Sequence, residues 1–190
     1  SNSDLSWIDY KRRGWNHPHV VGYMESHDEE RMMYKNLTWG VMTNPDYPVK
    51  DMTIGLERSA LAATFFIPLP GPKMIWQFGE LGYDYSIDYN GRVGEKPIRW
   101  DYYSDWRRKY LYEVYSALNH LKSTYPVFRT TNFTHKLTGA DRRIVLKHES
   151  MDVVIAGNFD VSEKNVTPGF TKAGKWYDFF SGDSLEVTNV

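Results

Sequence analysis

Two short apolar segments, each ending in a cluster of polar residues, limit what this 190-residue chain can fold into. Residues 19–24 and 74–78 are almost continuously apolar, which is typical of strands buried on both faces of a parallel sheet. Apolar residues recur at steps of three and four in residues 51–66 and 103–123, so these segments predict amphipathic helices. The alternation of strand and helix predicts parallel βα units.

After the second helix the pattern changes to short strands separated by turn residues. The predicted strands are residues 144–146, 153–156 and 176–180, with Gly, Asp, Asn and Ser between them. This pattern is typical of an all-β module. We therefore predict two domains, residues 1–128 and residues 129–190, and an α/β plus all-β fold class.

The predicted βα part is too small to close a sheet by itself. Two parallel strands leave backbone groups unpaired at their edges, and a parallel βα barrel has eight units in about 250 residues. The simplest interpretation is that residues 1–128 are the C-terminal portion of a TIM (β/α)8 barrel, namely its last two βα units. Residues 129–190 then form a β-sandwich that is itself incomplete.

Composition excludes several classes of partner and site. The net charge of −1 leaves no basic field for nucleic acid. Cysteine is absent, so there is neither a disulfide nor a thiolate metal site. The best apolar run, residues 61–69, contains Pro68 and is too short to span a membrane. Aromatic residues make up 16% of the chain, which fits either a large aromatic core or a surface that stacks on sugar rings.

Polar side chains follow both predicted strands. Glu25, Ser26, His27 and Asp28 come after the first strand, and Glu80 comes after the second. Functional groups of parallel α/β proteins cluster at the C-terminal ends of strands, where the loops converge. We therefore expect the candidate site at this edge of the sheet.

Four segments together carry a family resemblance. Residues 23–31 have the sequence YMESHDEER, and residues 70–82 have the sequence PGPKMIWQFGELG. Residues 96–101 are KPIRWD, and residues 154–159 are VIAGNF. In this order and spacing the segments resemble glycoside hydrolase family 13, the α-amylase type: its fourth conserved region, its last barrel strand, the stretch before its final barrel helix, and a strand of its domain C. The resemblance covers nearly the whole chain and implies the last barrel strands followed by domain C.

The resemblance also implies roles for individual residues. Asp28 matches the third catalytic carboxylate, a transition-state stabiliser that holds substrate hydroxyls without attacking or protonating the sugar. His27 matches a histidine that contacts the same hydroxyls. Arg31 and Glu25 lie behind these two residues, and Arg31 orients the acidic cluster through charge-assisted hydrogen bonds. Further candidates for substrate binding are Trp76, Glu80, Tyr34 and Trp39.

The implied function is retaining hydrolysis of α-1,4-glucosidic bonds in an α-glucan such as starch or glycogen. Two alternatives stay open. The Gly71-x-Lys73 opening and the length up to Glu80 resemble glucan-branching enzymes, which are transglycosylases of the same family. A non-catalytic glucan-binding or interaction module is the third interpretation.

The catalytic apparatus implied by the family is larger than this chain. A retaining glycosidase needs a nucleophile and an acid/base, and in the family an Asp and a Glu on earlier barrel strands take these roles. No segment of this sequence matches either one. We therefore expect the chain alone to be inactive, with the remainder of the barrel as its partner in the parent enzyme. The resemblance implies a bacterial parent that is periplasmic or extracellular.

No cofactor is expected for this chain, although a structural calcium ion is compatible with the parent. A metal site built from His17, His19, His27 and Asp28 is a competing hypothesis of a different class. Their spacing matches no familiar zinc pattern, so we predict no metal site.

The polar cluster after the first strand also fits an ordinary helix start. Ser26 and Glu29 have the spacing of a capping box, which predicts that a helix or turn begins there. Arg31 could then pair with a nearby acid on the same helix. The other three matching segments favour the family interpretation over this local one.

Overall fold

The computed structural model describes residues 4–190, with helices in the first two thirds and antiparallel strands in the last third. The helices are α1 (Met32–Trp39), α2 (Met52–Phe66) and α3 (Trp106–Thr124). The strands are β1 (Gly22–Tyr23), β2 (Lys73–Met74), β3 (Phe133–Lys136), β4 (Asp141–His148), β5 (Met151–Asn158), β6 (Gly174–Tyr177) and β7 (Ser184–Val187). Turns of 3₁₀ helix cover Ser6–Ile8, Gly79–Leu81, Trp100–Ser104 and Pro126–Arg129.

β1 and β2 form a parallel pair in which Gly22 lies opposite Lys73. The parallel pairing that the alternation predicts is therefore present. Each strand is shorter than predicted, and the prediction that both faces are buried is wrong. Val21 and Tyr23, which lie on one face of the pair, are 56% and 50% exposed, whereas a Cβ atom on Gly22 would contact Ile8 and Phe66 on the other face.

The two long helices begin and end where local signals place them. The Asp51 carboxylate accepts hydrogen bonds of 2.8 and 3.1 Å from two backbone N–H groups in the first turn of α2, and Pro68 follows its end. α3 begins at Trp106 rather than Tyr103, because residues 100–104 form a 3₁₀ turn and Asp105 caps the helix. Within residues 4–190, none of the helices has the length and apolar character needed to cross a bilayer.

Two hydrophobic cores hold these elements together. The first packs α2 against α3 and α1 through Met33, Leu56, Ala60, Ala63, Phe66, Ile67, Leu111, Val114, Tyr115 and Leu118. The second joins the helical part to the antiparallel strands through Tyr10, Phe65, Leu69, Val127, Phe128, Phe133, Leu137, Ile144, Leu146 and Ile155. The predicted boundary near residue 128 therefore separates two types of structure that share the second core.

The antiparallel part consists of a three-stranded sheet and a separate hairpin. The sheet has the order β3-β4-β5, and β6 pairs with β7. The predicted strands 144–146 and 153–156 lie within β4 and β5. The strand predicted for residues 176–180 is shorter, because the Asp178 carboxylate accepts hydrogen bonds from two following N–H groups and turns the chain after Tyr177.

Two half-buried lysines share one backbone acceptor next to the start of β2. Lys73 Nζ donates to the carbonyls of Leu69 at 2.9 Å and Gly71 at 2.8 Å, and Lys122 Nζ donates to the Leu69 carbonyl at 2.6 Å. Burial lowers the pKa of Lys73 to about 7, and the charge of Lys122 adds to this effect. Burial and the charge of Arg129 lower the pKa of Lys122 to about 8.

These lysines predict stability that increases with pH. The pKa of an unfolded lysine is 10.5, so between pH 7 and 9 the unfolded state binds more protons than the folded state. The free energy of unfolding should then rise by at most about 1.4 kcal/mol per pH unit for each such proton. In Lys73→Met, urea unfolding at a series of pH values should give a smaller slope, whereas Lys109→Met, on the exposed face of α3, should keep the original slope. Equal slopes in all three proteins would contradict this prediction.

Candidate active site

A cavity of about 380 Å³ opens where the segments that follow β1 and β2 converge. Its volume lies within the range of small-molecule sites. Three segments line it: residues 26–31, residues 76–77 and residues 87–96. From the first two segments the lining side chains are Ser26, His27, Asp28, Arg31, Trp76 and Gln77. Four of the residues predicted from the sequence, including Asp28 and Trp76, therefore meet at the C-terminal ends of the two parallel strands.

His27 and Asp28 lie side by side at the mouth of the cavity. The distance between His27 Nε2 and Asp28 Oδ2 is 3.3 Å, and the two side chains are 69% and 67% exposed. The His27 ring also lies against Trp76, with ring centroids 5.5 Å apart. An imidazole, a carboxylate and an indole face are thus available to one ligand.

A bend at Ser26 sets the direction of these two side chains. Ser26 Oγ accepts a hydrogen bond from the Asp28 N–H at 3.1 Å and donates to the Glu29 carboxylate. The capping-box spacing therefore forms a turn, and α1 begins only at Met32. The interpretation of this cluster as the first turn of a helix is wrong, because the Ser26 hydroxyl caps a bend that ends before the helix starts.

A buried ion pair supports the cavity from behind. Arg31 Nη1 lies 3.4 Å from Glu25 Oε1, and Glu25 Oε2 accepts a 2.7 Å hydrogen bond from the Met32 N–H. The guanidinium carbon lies 4.9 Å from the Tyr83 ring centroid and 5.9 Å from that of Trp76. Burial raises the pKa of Glu25 and lowers the pKa of Arg31, while their mutual attraction opposes both shifts.

The turn after β2 fits closely around this ion pair. Phe78 is buried and has a left-handed backbone with φ of 58°, which is uncommon for a bulky residue. Its conformation leads into the 3₁₀ turn that contains Gly79. A Cβ atom on Gly79 would lie only 2.6 Å from Glu25 Oε1. Glycine at this position is therefore required for the carboxylate to occupy its place.

Three of the predicted substrate-binding residues do not line the cavity. Tyr34 and Trp39 lie on α1, where their rings make an edge contact with centroids 5.8 Å apart. The helix begins directly after the cavity segment, and its length of about 12 Å carries Trp39 away from the site. Glu80 lies in the 3₁₀ turn after Phe78 and is not among the described residues that line the cavity.

The structure does not bring the histidines of the competing metal hypothesis together with the site. The rings of His17 and His19 stack with centroids 5.4 Å apart, but neither lines the cavity that contains His27 and Asp28. Among residues 4–190 no group of three or more His, Cys, Asp or Glu side chains is placed to hold a metal ion.

Sequence reasoning missed the third wall of the cavity, which is formed by Ile87, Arg92, Val93, Gly94 and Lys96. The glycines of this segment indicated a loop, but a loop pattern does not show what the loop packs against. The decisive contact is the hydrogen bond from Arg92 Nη2 to the Asp28 carbonyl at 2.9 Å.

The acids and bases of the cavity limit its chemistry. Asp28 is the single carboxylate among the described residues that line it. The cavity can therefore bind and orient hydroxyl groups, but this part of the chain does not supply the pair of carboxylates that glycoside hydrolysis needs.

Comparison with known proteins does not assign this chain to a family. No protein-family model matches the chain, and a search of curated proteins finds no significant match.

The buried ion pair generates a stability prediction. Glu25→Gln keeps an oxygen acceptor for the Met32 N–H but leaves the Arg31 charge buried without its partner, so it should cost roughly 3 kcal/mol. Glu113→Gln is the matched control, because Glu113 pairs with Lys109 at 4.0 Å on the exposed surface of α3, and such pairs contribute about 0.5 kcal/mol or less. Chemical denaturation of the three proteins measures the difference. Similar costs for both variants would show that the buried pair does not stabilise the site.

Proposed function

We propose that this chain is the C-terminal part of an α-glucan-acting glycoside hydrolase of the α-amylase type. The observation that carries the proposal is the cavity in which Asp28, His27 and Trp76 meet at the ends of two parallel strands. The family resemblance assigns Asp28 and His27 to contact with the reacting sugar, and Trp76 is a candidate for stacking on a sugar ring. A pyranose has apolar faces and a rim of hydroxyls, and the indole and the two polar side chains complement both.

In this proposal Asp28 and His27 bind the sugar rather than break its bond. The Asp28 carboxylate accepts hydrogen bonds from hydroxyls next to the reacting carbon, and these bonds strengthen as the ring distorts towards the oxocarbenium-like transition state. His27 hydrogen-bonds the same hydroxyls, and its contact with Trp76 holds its ring in place. The nucleophile and the acid/base come from earlier barrel strands of the parent enzyme.

The open face of the β1–β2 pair supports the proposal that other barrel strands complete the structure. Parallel sheets are normally buried on both faces, and a two-stranded sheet is marginally stable alone. Tyr23 on β1 and Val21 just before it lie on the same face, and both side chains are exposed. The proposed occupant of this face is the remainder of a TIM barrel, with the antiparallel strands after residue 128 as part of a β-sandwich domain.

The element that resembles branching enzymes has a local structural role. Gly71 has a φ of 102°, and Lys73 Nζ donates to its carbonyl and to that of Leu69. The Gly-x-Lys spacing therefore closes the turn before β2. Neither Gly71 nor Lys73 lines the cavity. Their arrangement therefore does not favour transglycosylation over hydrolysis.

Binding of maltoheptaose to the 190-residue chain tests the proposed site. Isothermal titration should show binding that weakens about tenfold or more in Trp76→Ala and in Asp28→Asn, because each loses a direct contact with the sugar. Trp106→Ala and Asp183→Asn change exposed residues outside the cavity and should bind normally. Weakening by Trp76→Ala alone favours the non-catalytic binding module, and an unchanged affinity in both cavity variants refutes the site.

Activity assays test the division of catalytic roles. The chain alone should release no reducing sugar from soluble starch above a heat-killed control, because Asp28 is the single carboxylate among the described cavity residues. Hydrolysis by the isolated chain would show that it contains a complete catalytic pair.

A further inference from the structure

Residues 86–96, which we name the cavity loop, supply five of the eleven described residues that line the cavity. The loop has no helix or strand, so its conformation depends on specific contacts. The shape of nearly half of the cavity wall therefore depends on what holds this loop in place.

Two connections attach the cavity loop to the segment that carries His27 and Asp28. Glu30 accepts hydrogen bonds from Ser86 Oγ at 2.7 Å and from the Ile87 N–H at 3.1 Å. Arg92 Nη2 donates to the backbone carbonyl of Asp28 at 2.9 Å. The start and the middle of the loop are thus fixed relative to the proposed sugar-binding carboxylate.

A third set of hydrogen bonds organises the loop internally. Lys96 Nζ donates to the carbonyls of Tyr89, Gly91 and Gly94 at 2.9, 2.8 and 2.9 Å. An ammonium group has three donors, so these bonds use the full capacity of Lys96. Lys96 therefore acts on the backbone of the loop and has no free N–H for a ligand. A loop that is ordered before binding loses less conformational entropy when the ligand arrives.

The loop presents one apolar side chain that no other described residue covers. Val93 lines the cavity and yet is fully exposed. Arg92, its neighbour, is bound to the Asp28 carbonyl, which places Val93 close to the sugar proposed to lie at Asp28. Exposed apolar surface beside polar groups suits a ligand that has both C–H faces and hydroxyls, as a pyranose does.

We propose that the cavity loop is a preformed substrate wall in which Val93 contacts a pyranose ring of the bound α-glucan. Arg92 and Lys96 are positioning residues that hold Val93 in place through the backbone of the loop. This inference rests on the proposed function, and it adds a specificity-determining contact that the family resemblance does not assign.

Maltoheptaose titration of Val93→Ala tests the contact. Removal of two methyl groups that the bound sugar would cover should weaken binding roughly fivefold. The fold should stay unchanged, because Val93 is fully exposed in the chain alone. Ile98→Ala is the matched control, since Ile98 is also exposed, lies just beyond the loop and does not line the cavity. Equal affinities for Val93→Ala and the unmodified chain overturn the proposed contact.

Loop order provides a readout for the positioning residues that is independent of affinity. In Arg92→Met and Lys96→Gln, amide hydrogen exchange across residues 86–96 should accelerate in the absence of sugar, and binding should weaken. Arg92→Lys retains an N–H donor for the Asp28 carbonyl and should restore part of both properties. Unchanged exchange in Arg92→Met and Lys96→Gln overturns the positioning roles.

The outcomes separate this inference from the proposed function. If Trp76→Ala and Asp28→Asn weaken binding while the Val93 and loop variants behave like Ile98→Ala, the cavity loop inference fails and the proposed function stands. If the unmodified chain binds no maltoheptaose, the proposed function fails and the inference fails with it.

Discussion

The placement of the candidate site depends on the buried Glu25–Arg31 ion pair. Two charges inside a protein destabilise it unless their hydrogen bonds are satisfied. Here the carboxylate accepts from Arg31 and from the Met32 N–H, and the guanidinium packs near the rings of Tyr83 and Trp76. The pair therefore joins the end of β1, the start of α1 and the turn after β2. This contact fixes the relative position of these three segments as much as it stabilises the fold.

The exposed residues of the cavity contribute less to the stability of the fold than the buried ion pair does. The His27–Asp28 pair is largely open to solvent, and exposed pairs contribute little to folding. Stability alone does not explain why these two side chains occupy a carefully supported bend. The Ser26 hydroxyl, the Trp76 ring and the Arg92 guanidinium each contact the segment that carries them. Contacts that fix the position of this pair, although the pair adds little stability, support a role in ligand binding.

The two cores explain why the chain holds together although its parallel sheet is open. α2 packs on α3 in one core, and the same helix contributes Phe65 to the other, which includes β3, β4 and β5. The β1–β2 pair rests on this framework and exposes its other face. Such an arrangement agrees with the proposal that further strands cover that face in the parent enzyme.

The sequence by itself determined the features that have local signals. Helical periodicity located α2, and the polar residues after the first apolar segment placed His27 and Asp28 at one edge of a sheet. Only the tertiary structure decided that Trp39 lies outside the cavity and that Arg92, Val93 and Lys96 form its third wall. Arg92 is 64 residues from Asp28 in the chain, and a contact over that separation leaves no periodic pattern or capping motif in the sequence. It arises from the packing of loops that only the folded chain brings together.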